Sequence, residues 1–389
     1  MPPTREAPDR GPRIMLAAGE ASGDLHGATL CRALRTLAPG CRLFGMGGAR
    51  MAAAGVDLLA DVTAAAVVGG SEALSRVPTL YRAYRRLRAA LRDADRPAAL
   101  VLIDFPDFNL LLARTARRAG VPVVYFIPPQ VWAWRGRRVR TIKRLVSLVL
   151  AAFPFELPLY RRAGVRVEFV GHPVLDALAH APTRAAARAA LGLAAGDGVI
   201  GVLPGSRREE IERVLPVMWD AAVRLHAARS STRFVLGLAP TVEPAAVARH
   251  LGATPRVEIV HDRTYVVMRA ADLLLVTSGT ATLEGALLGT PMVVCYRVSR
   301  LSEAMIRPLI RVPWISLANI ALGRAAVPEL YQGAATGERL AREAMRLLDD
   351  ARASRAQREA FAELAGQLGE PGVGSRAARL VLATAAAGR

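Results

Sequence analysis

The chain is almost without lysine: Lys143 is the only one among its 52 basic residues, and the rest are arginine. A formal net charge of +19 over 389 residues would ordinarily point to nucleic acid or an anionic surface. Arginine and alanine enrichment this one-sided is also what coding bias produces, so the charge by itself assigns no polyanionic partner. Cysteine is scarce as well. Cys31, Cys41 and Cys295 have no metal-ligand spacing and no disulfide framework, which fits a reducing cytoplasm. No stretch reaches the roughly 18 uninterrupted apolar residues that a spanning helix needs. The amino-terminal MPPTREAPDRGPR has no apolar h-region and reads as a disordered lead-in instead of a signal peptide. There is no short internal repeat. No G-x-G-x-x-G with its distant acidic partner is present, which argues against NAD.

What the chain does have is 52% hydrophobic residues, enough to bury two cores at about 150 residues per domain. Short apolar runs alternate with helical patterns. Ile14 to Ala18, Arg42 to Met46, Leu100 to Ile103, Val123 to Ile127, Leu145 to Ala151 and Val167 to Val170 form one series of buried strands. Val199 to Leu203, Phe234 to Leu238, Val257 to Val260, Leu273 to Val276 and Met292 to Cys295 form a second. The Ala/Arg-rich stretch from His180 to Ala190 marks a boundary, and helices follow Gly337. Strand and helix alternating twice over predicts two doubly wound, Rossmann-like α/β domains facing across a cleft.

The residues with chemistry sit where strands end. Leu273 to Val276 stops at Thr277-Ser278-Gly279-Thr280-Ala281, small residues at a helix start, with Glu284 one turn inside. This is either an ordinary capped turn or an anion site made by free N–H groups and the helix dipole, with Glu284 accepting from ligand hydroxyls. Leu203-Pro-Gly205-Ser206-Arg207 opens another helix, and Ser206 with Glu209 matches a capping box. Arg207 in a first turn opposes the helix dipole, which favours a ligand diphosphate contact. Asp104-Phe-Pro-Asp107 follows a strand; Pro106 and Asp107 suit the helix cap and leave Asp104 for general-base work. Asp93-Ala-Asp95 reads as solvated surface, and His26 and His172 as structural. Trp132 and Trp134 precede RGRRVRTIKR, which is either a phosphate or headgroup patch or a wet helix face. Leu80, Tyr84, Leu87 and Leu91 form a helical stripe among arginines, usually a core face. With Val67 and Val68 just before it, the stripe also suits a membrane surface.

Taken in order, AGEASGD (18–24), GMGG (45–48), IDFPDFN (103–109), PPQVWAWR (128–135), FPFE (153–156), GHP (171–173), LPGSR (203–207), TSGTATLE (277–284) and SLANIALGR (316–324) resemble the lipid-A-disaccharide synthase family. The resemblance runs from about Ile14 to the C-terminal helix. Two departures are the extra lead-in and Ala318 where the family commonly has proline. The resemblance implies a GT-B fold with residues 1–176 as the acceptor-side, membrane-contacting domain and 177–369 as the UDP-sugar domain. Residues 370–389 would form a helix crossing back to the first domain. It implies an inverting, metal-independent transfer, with no cofactor, from UDP-2,3-diacylglucosamine to 2,3-diacylglucosamine 1-phosphate. A homodimer, peripheral on the cytoplasmic face of the inner membrane and without nucleic acid, is implied as well. Carried onto this chain, Asp104 would be the base. Gly205, Ser206, Arg207, Ser278, Gly279, Thr280, Ala281, Glu284 and Asn319 would bind the UDP-sugar. Gly19, Ser22, Asp24, Trp134 and Arg135 would line the acceptor side, and Val67, Val68, Leu80 and Leu87 would touch the membrane.

Two other readings compete. A UDP-N-acetylglucosamine epimerase on the same fold would need more carboxylates and a histidine, and would not need the Trp132/Trp134 patch. A polyanion-binding protein rests on charge alone and does not explain glycine and serine motifs at strand ends.

Overall fold

The computed structural model describes residues 11–62, 73–129, 138–240, 242–299, 303 and 312–388. The chain divides into two compact units. Within the described residues, one runs to residue 62, then from 73 to Asp176 and from Leu368 onward, and the other from Ala177 to Gln367.

In the first unit the apolar runs become β1 (Arg13–Ala18), β2 (Arg42–Gly47), β3 (Asp57–Asp61), β4 (Ala99–Ile103), β5 (Val123–Phe126), β6 (Leu148–Ala151) and β7 (Val167–Phe169). They form one parallel sheet in the order β3-β2-β1-β4-β5-β6-β7. Every residue of β4 is buried, as a strand covered on both faces must be. The order reverses between β1 and β4, whose ends lie side by side with Ala18 opposite Ile103. Ligands of open α/β sheets bind at such switch points. Sequence reading missed β3, a half-exposed edge strand without a continuous apolar run. It also began β6 three residues early, because Leu145 ends the preceding helix.

Helices α1 (Ala21–Leu37), α2 (Ala49–Ala53), α3 (Ala73–Arg92) and α4 (Pro106–Arg118) belong to this unit. The α3 stripe faces inward: Leu87 and Leu91 are fully buried, and Leu80 and Tyr84 pack against the same core. This corrects the expectation that Leu80 and Leu87 contact a membrane. The outward face of α3 instead carries Val77 and Tyr81, 56% and 60% exposed, among the exposed Arg82, Arg85 and Arg88. Among the described residues no helix is long and apolar enough to cross a membrane.

The second unit holds β8 (Val199–Leu203), β9 (Arg233–Leu238), β10 (Val257–His261), β11 (Leu273–Thr277), β12 (Met292–Tyr296) and β13 (Glu329–Tyr331), parallel in the order β10-β9-β8-β11-β12-β13. Here the reversal falls between β8 and β11, with Leu203 opposite Val276. Its labelled helices are α5 (Arg208–Ala228), α6 (Thr264–Ala270), α7 (Thr280–Leu287), α8 (Leu317–Leu322) and α9 (Gly337–Asp349). Leu340, Ala344 and Leu347 of α9 join Val214, Met218 and Ala221 of α5 in one core.

The last helix, α10 (Val373–Ala387), belongs to the first unit and packs on α1. Asp176 fixes its start, accepting from the backbone N–H groups of Gly372 (2.5 Å), Val373 (3.0 Å) and Gly374 (2.8 Å). Arg376 Nε donates to the Val170 carbonyl at 3.0 Å.

Leu87→Asp should destabilise the protein by at least ~3 kcal/mol, the scale of a lost buried leucine plus an unpaired buried charge. Tyr81→Asp, on the solvent face, should shift stability by no more than about 0.5 kcal/mol. Chemical-denaturation midpoints of the two variants check the pair.

Candidate functional site

In the first unit the switch point is built from the turn after β1 and the turn after β4. The Phe105 ring lies where a Gly19 side chain would stand, so glycine is required there by close approach. Ser22 is half-buried in the first turn of α1. Asp24 is 5% exposed, and its carboxylate accepts from the N–H groups of Gly48 (2.7 Å), Arg50 (3.0 Å) and Met51 (3.0 Å). The acceptor-lining role expected of Asp24 is therefore corrected: its charge is spent on the positive end of α2. Trp134, Arg135, Val67 and Val68 lie outside the described residues.

Asp104 and Phe105 both take left-handed backbone conformations, φ 48° and 46°, which cost energy for residues with a Cβ. The Asp104 carbonyl is held by two donors, Asn109 Nδ2 at 2.7 Å and the Tyr125 hydroxyl at 2.9 Å. Asn109 is fully buried and donates to the Ala17 and Ile103 carbonyls as well, tying β1 and β4 to this turn. Neither Asn109 nor Tyr125 stands out in the sequence, although Asn109 closes the IDFPDFN motif. The helix cap also differs from expectation. Phe105 is the N-cap of α4, with Pro106 in the first turn, while Asp107 pairs with Arg138. The turn holds the Asp104 backbone at the carboxyl edge of the sheet, just after β4, and the N-cap Phe105 supplies no side-chain cap to α4. His26 and His172 are buried edge to face, their rings 5.9 Å apart, and burial pushes them down to about 4 and about 3. Both are neutral packing residues at physiological pH, and His172 Nδ1 accepts from Val174 N–H.

In the second unit the turns after β8 and β11 are neighbours. Gly205, at φ 119°, allows the first turn, with the Glu210 carboxylate and Thr277 methyl close around it. The capping box is displaced by one residue from the predicted Ser206/Glu209 pair: Arg207 is the N-cap and Glu210 the third helical residue. Glu210 Oε2 accepts from the N–H groups of Ser206 and Arg207, both at 3.3 Å. Its Oε1 meets the Arg207 guanidinium at 3.1 Å, on a side chain 60% exposed. Arg207 thus precedes the first turn of α5 instead of sitting in it, and its guanidinium lies at the surface beside the helix start.

At the second turn Gly279, φ 140°, is the N-cap of α7 and, as a glycine, brings no capping side chain to that start. Thr280 is exposed and Ala281 half-buried. The Ser278 hydroxyl donates to the Ile315 carbonyl at 2.6 Å. Thr282 Oγ1 accepts from Leu317 N–H at 3.1 Å, so the 315–317 segment is sewn to the turn. Asn319, predicted to orient a substrate, is fully buried and uses all its capacity internally. Its amide donates to the Val327 carbonyl and Glu329, and its oxygen accepts from Ala326 and Val327 N–H. Asn319 is therefore scaffolding.

Glu284 is different. It is half-buried, and burial pushes its carboxyl up to about 7 against the opposing hydrogen bond from the Tyr265 hydroxyl, 3.0 Å from Oε1. Two helix starts at adjacent strand ends, an exposed guanidinium and a carboxylate one turn inside can hold a diphosphate and accept from hydroxyls. Two parallel, doubly wound units of this kind define the GT-B class of nucleotide-sugar enzymes.

Within that class, the model of the lipid-A-disaccharide synthetase family matches residues 14–383, and the chain belongs to that family. It is an enzyme, a glycosyltransferase of lipid A biosynthesis. It is 45% identical over 371 residues to the lipid-A-disaccharide synthase of Geobacter metallireducens, covering 95% of this chain and 96% of that one. Among solved structures, the UDP-GlcNAc 2-epimerase from Neisseria meningitidis bound to UDP-GlcNAc matches with a TM-score of 0.62 at 12% identity, over 96% of this chain and 98% of that one. The glycotransferase of kitacinnamycin matches with 0.62 at 19% identity, over 96% and 99%. At such identities these likenesses are of fold alone, and the family membership separates the chain from the epimerases.

Asp24→Ala should leave three N–H groups without their acceptor and cost about 2–4 kcal/mol. Ser22→Ala should cost less than about 1 kcal/mol, and urea unfolding measures both.

Proposed function

We propose that the enzyme joins UDP-2,3-diacylglucosamine to 2,3-diacylglucosamine 1-phosphate, inverting the donor's anomeric carbon without a metal ion. The acceptor's primary hydroxyl attacks the anomeric carbon, its proton passes to Asp104, and the bond from that carbon to the UDP oxygen breaks. The departing UDP carries negative charge away, which Arg207 and the starts of α5 and α7 would receive. Glu284 would accept from the ribose hydroxyls. What supports this reading is that the turn carrying Arg207 and the start of α7, with Glu284 one turn inside it, follow neighbouring strands at the β8/β11 switch point in a chain of this family.

The substrates' acyl chains call for an enzyme that works at a bilayer. The exposed Val77 and Tyr81 amid arginines on α3 suit the anionic cytoplasmic face of the inner membrane. Trp134 and Arg135 would serve the acceptor beside Ser22, and the working form would be a homodimer without nucleic acid.

Asp104→Ala should reduce turnover by about 10³-fold or more while UDP affinity stays within about twofold, since general-base catalysis acts on the chemical step. Arg207→Ala should instead weaken UDP binding about tenfold. Steady-state kinetics with calorimetric UDP titration reads both, and an Asp104→Ala variant that loses UDP affinity would contradict the base role. Separately, Tyr81→Asp with Val77→Asp should fold normally yet lose several-fold in sedimentation with anionic vesicles. Undiminished binding would place the membrane contact elsewhere.

A further inference from the structure

The carboxylates that scaffold the turns each meet three or four donors. Asp24 and Asp176 each accept three backbone N–H groups, and Glu329 accepts from Ile315 N–H, Ser316 N–H, the Ser316 hydroxyl and the Asn319 amide. Glu284 accepts from one donor among the described residues, the Tyr265 hydroxyl. A carboxylate can accept about four hydrogen bonds, so most of its capacity is left for a ligand. Tyr265 lies on α6, which packs against α7, so the phenol reaches Glu284 from a neighbouring helix.

Building on the nucleotide reading above, we propose that Tyr265 is a positioning residue: its hydroxyl holds the Glu284 carboxylate in the orientation and charge state that accept the ribose hydroxyls of a nucleoside diphosphate sugar. A phenolic donor favours the ionised carboxylate and fixes one of its oxygens, leaving the other to face the ligand. The other groups facing α7 do not compete. Arg269 on α6 donates to the Leu288 carbonyl at 2.9 Å. Cys295 and Tyr296 on β12 are pushed up by burial and stay neutral. β11 and α8 bring no titratable side chain.

The signs follow from burial opposing the phenol. With Glu284 raised to about 7 from 4.5, the folded protein binds the extra proton, so its contribution to stability is lost as pH rises between those values. Ligand hydroxyls prefer the ionised form, so affinity for a UDP-linked sugar should rise with pH through about 7. Tyr265→Phe removes the lowering contribution and moves the midpoint up by about one pH unit, weakening binding at neutral pH about fivefold.

The test titrates the intact protein with UDP-2,3-diacylglucosamine from roughly pH 5.5 to 8.5, where the donor's diester diphosphate itself does not titrate. Thermal stability is followed in parallel. Tyr265→Phe should raise the dissociation constant and KM and shift the pH midpoint upward, with kcat at saturation within about twofold. Glu284→Gln should flatten the pH dependence, and adding Tyr265→Phe to it should change affinity no further, because the two act as one unit. A Tyr265→Phe protein with the wild-type midpoint and affinity would overturn the inference and leave the nucleotide reading standing. So would a double variant whose losses simply add. A wild-type protein that binds no UDP-linked donor would remove both.

Discussion

A parallel strand can be reached from its neighbour only by a crossover, and this constraint shapes both units. Each crossover returns the chain to the same edge, so all carboxyl ends of a sheet gather on one side. Where the strand order reverses, two consecutive helices leave on opposite faces and open a crevice. In the first unit this happens between β1 and β4, which brings the turns around Gly19 and Asp104 together. In the second it happens between β8 and β11, which brings the Gly205–Arg207 and Ser278–Ala281 turns together. The chemistry therefore sits where topology leaves backbone N–H groups without strand partners.

Buried and half-buried carboxylates then divide into two kinds by the number of donors they meet among the described residues. Asp24 and Asp176 each meet three donors and Glu329 four, and they hold loops or helix starts in place. Leaving such a charge unpaired would cost more than the bonds return, which is why these sites are well supplied with donors. Glu284 meets one phenol among the described residues, and burial raises its carboxyl to about 7. The pair of left-handed residues at Asp104 and Phe105 is the corresponding expense in the first unit, sustained by Asn109 and Tyr125.

The buried strands were legible because both faces are covered, and their apolar runs need no period. β3 and β13 were not legible, being half-exposed edge strands of five and three residues. The motifs marked the right turns, yet the roles of single side chains depended on partners distant in sequence. Asp24 meets a helix start 24 residues on, and Asn319 meets Glu329 across a loop. Both looked like ligand groups in sequence and are scaffolding in the fold. The box fell one residue later than Ser206/Glu209 because Glu209 and Glu210 are adjacent and the N-cap is Arg207, a residue that the S-x-x-E pattern does not mark. The α3 stripe has one apolar side, which sequence could assign equally to a core or a bilayer; full burial of Leu87 decides for the core.

The proposed transfer can be assayed with purified protein, UDP-2,3-diacylglucosamine and 2,3-diacylglucosamine 1-phosphate in the presence of a chelator, with products read by mass spectrometry. The acylated disaccharide 1-phosphate should form together with an equivalent of UDP. Release of UDP without disaccharide, or turnover confined to plain UDP-N-acetylglucosamine, would contradict it.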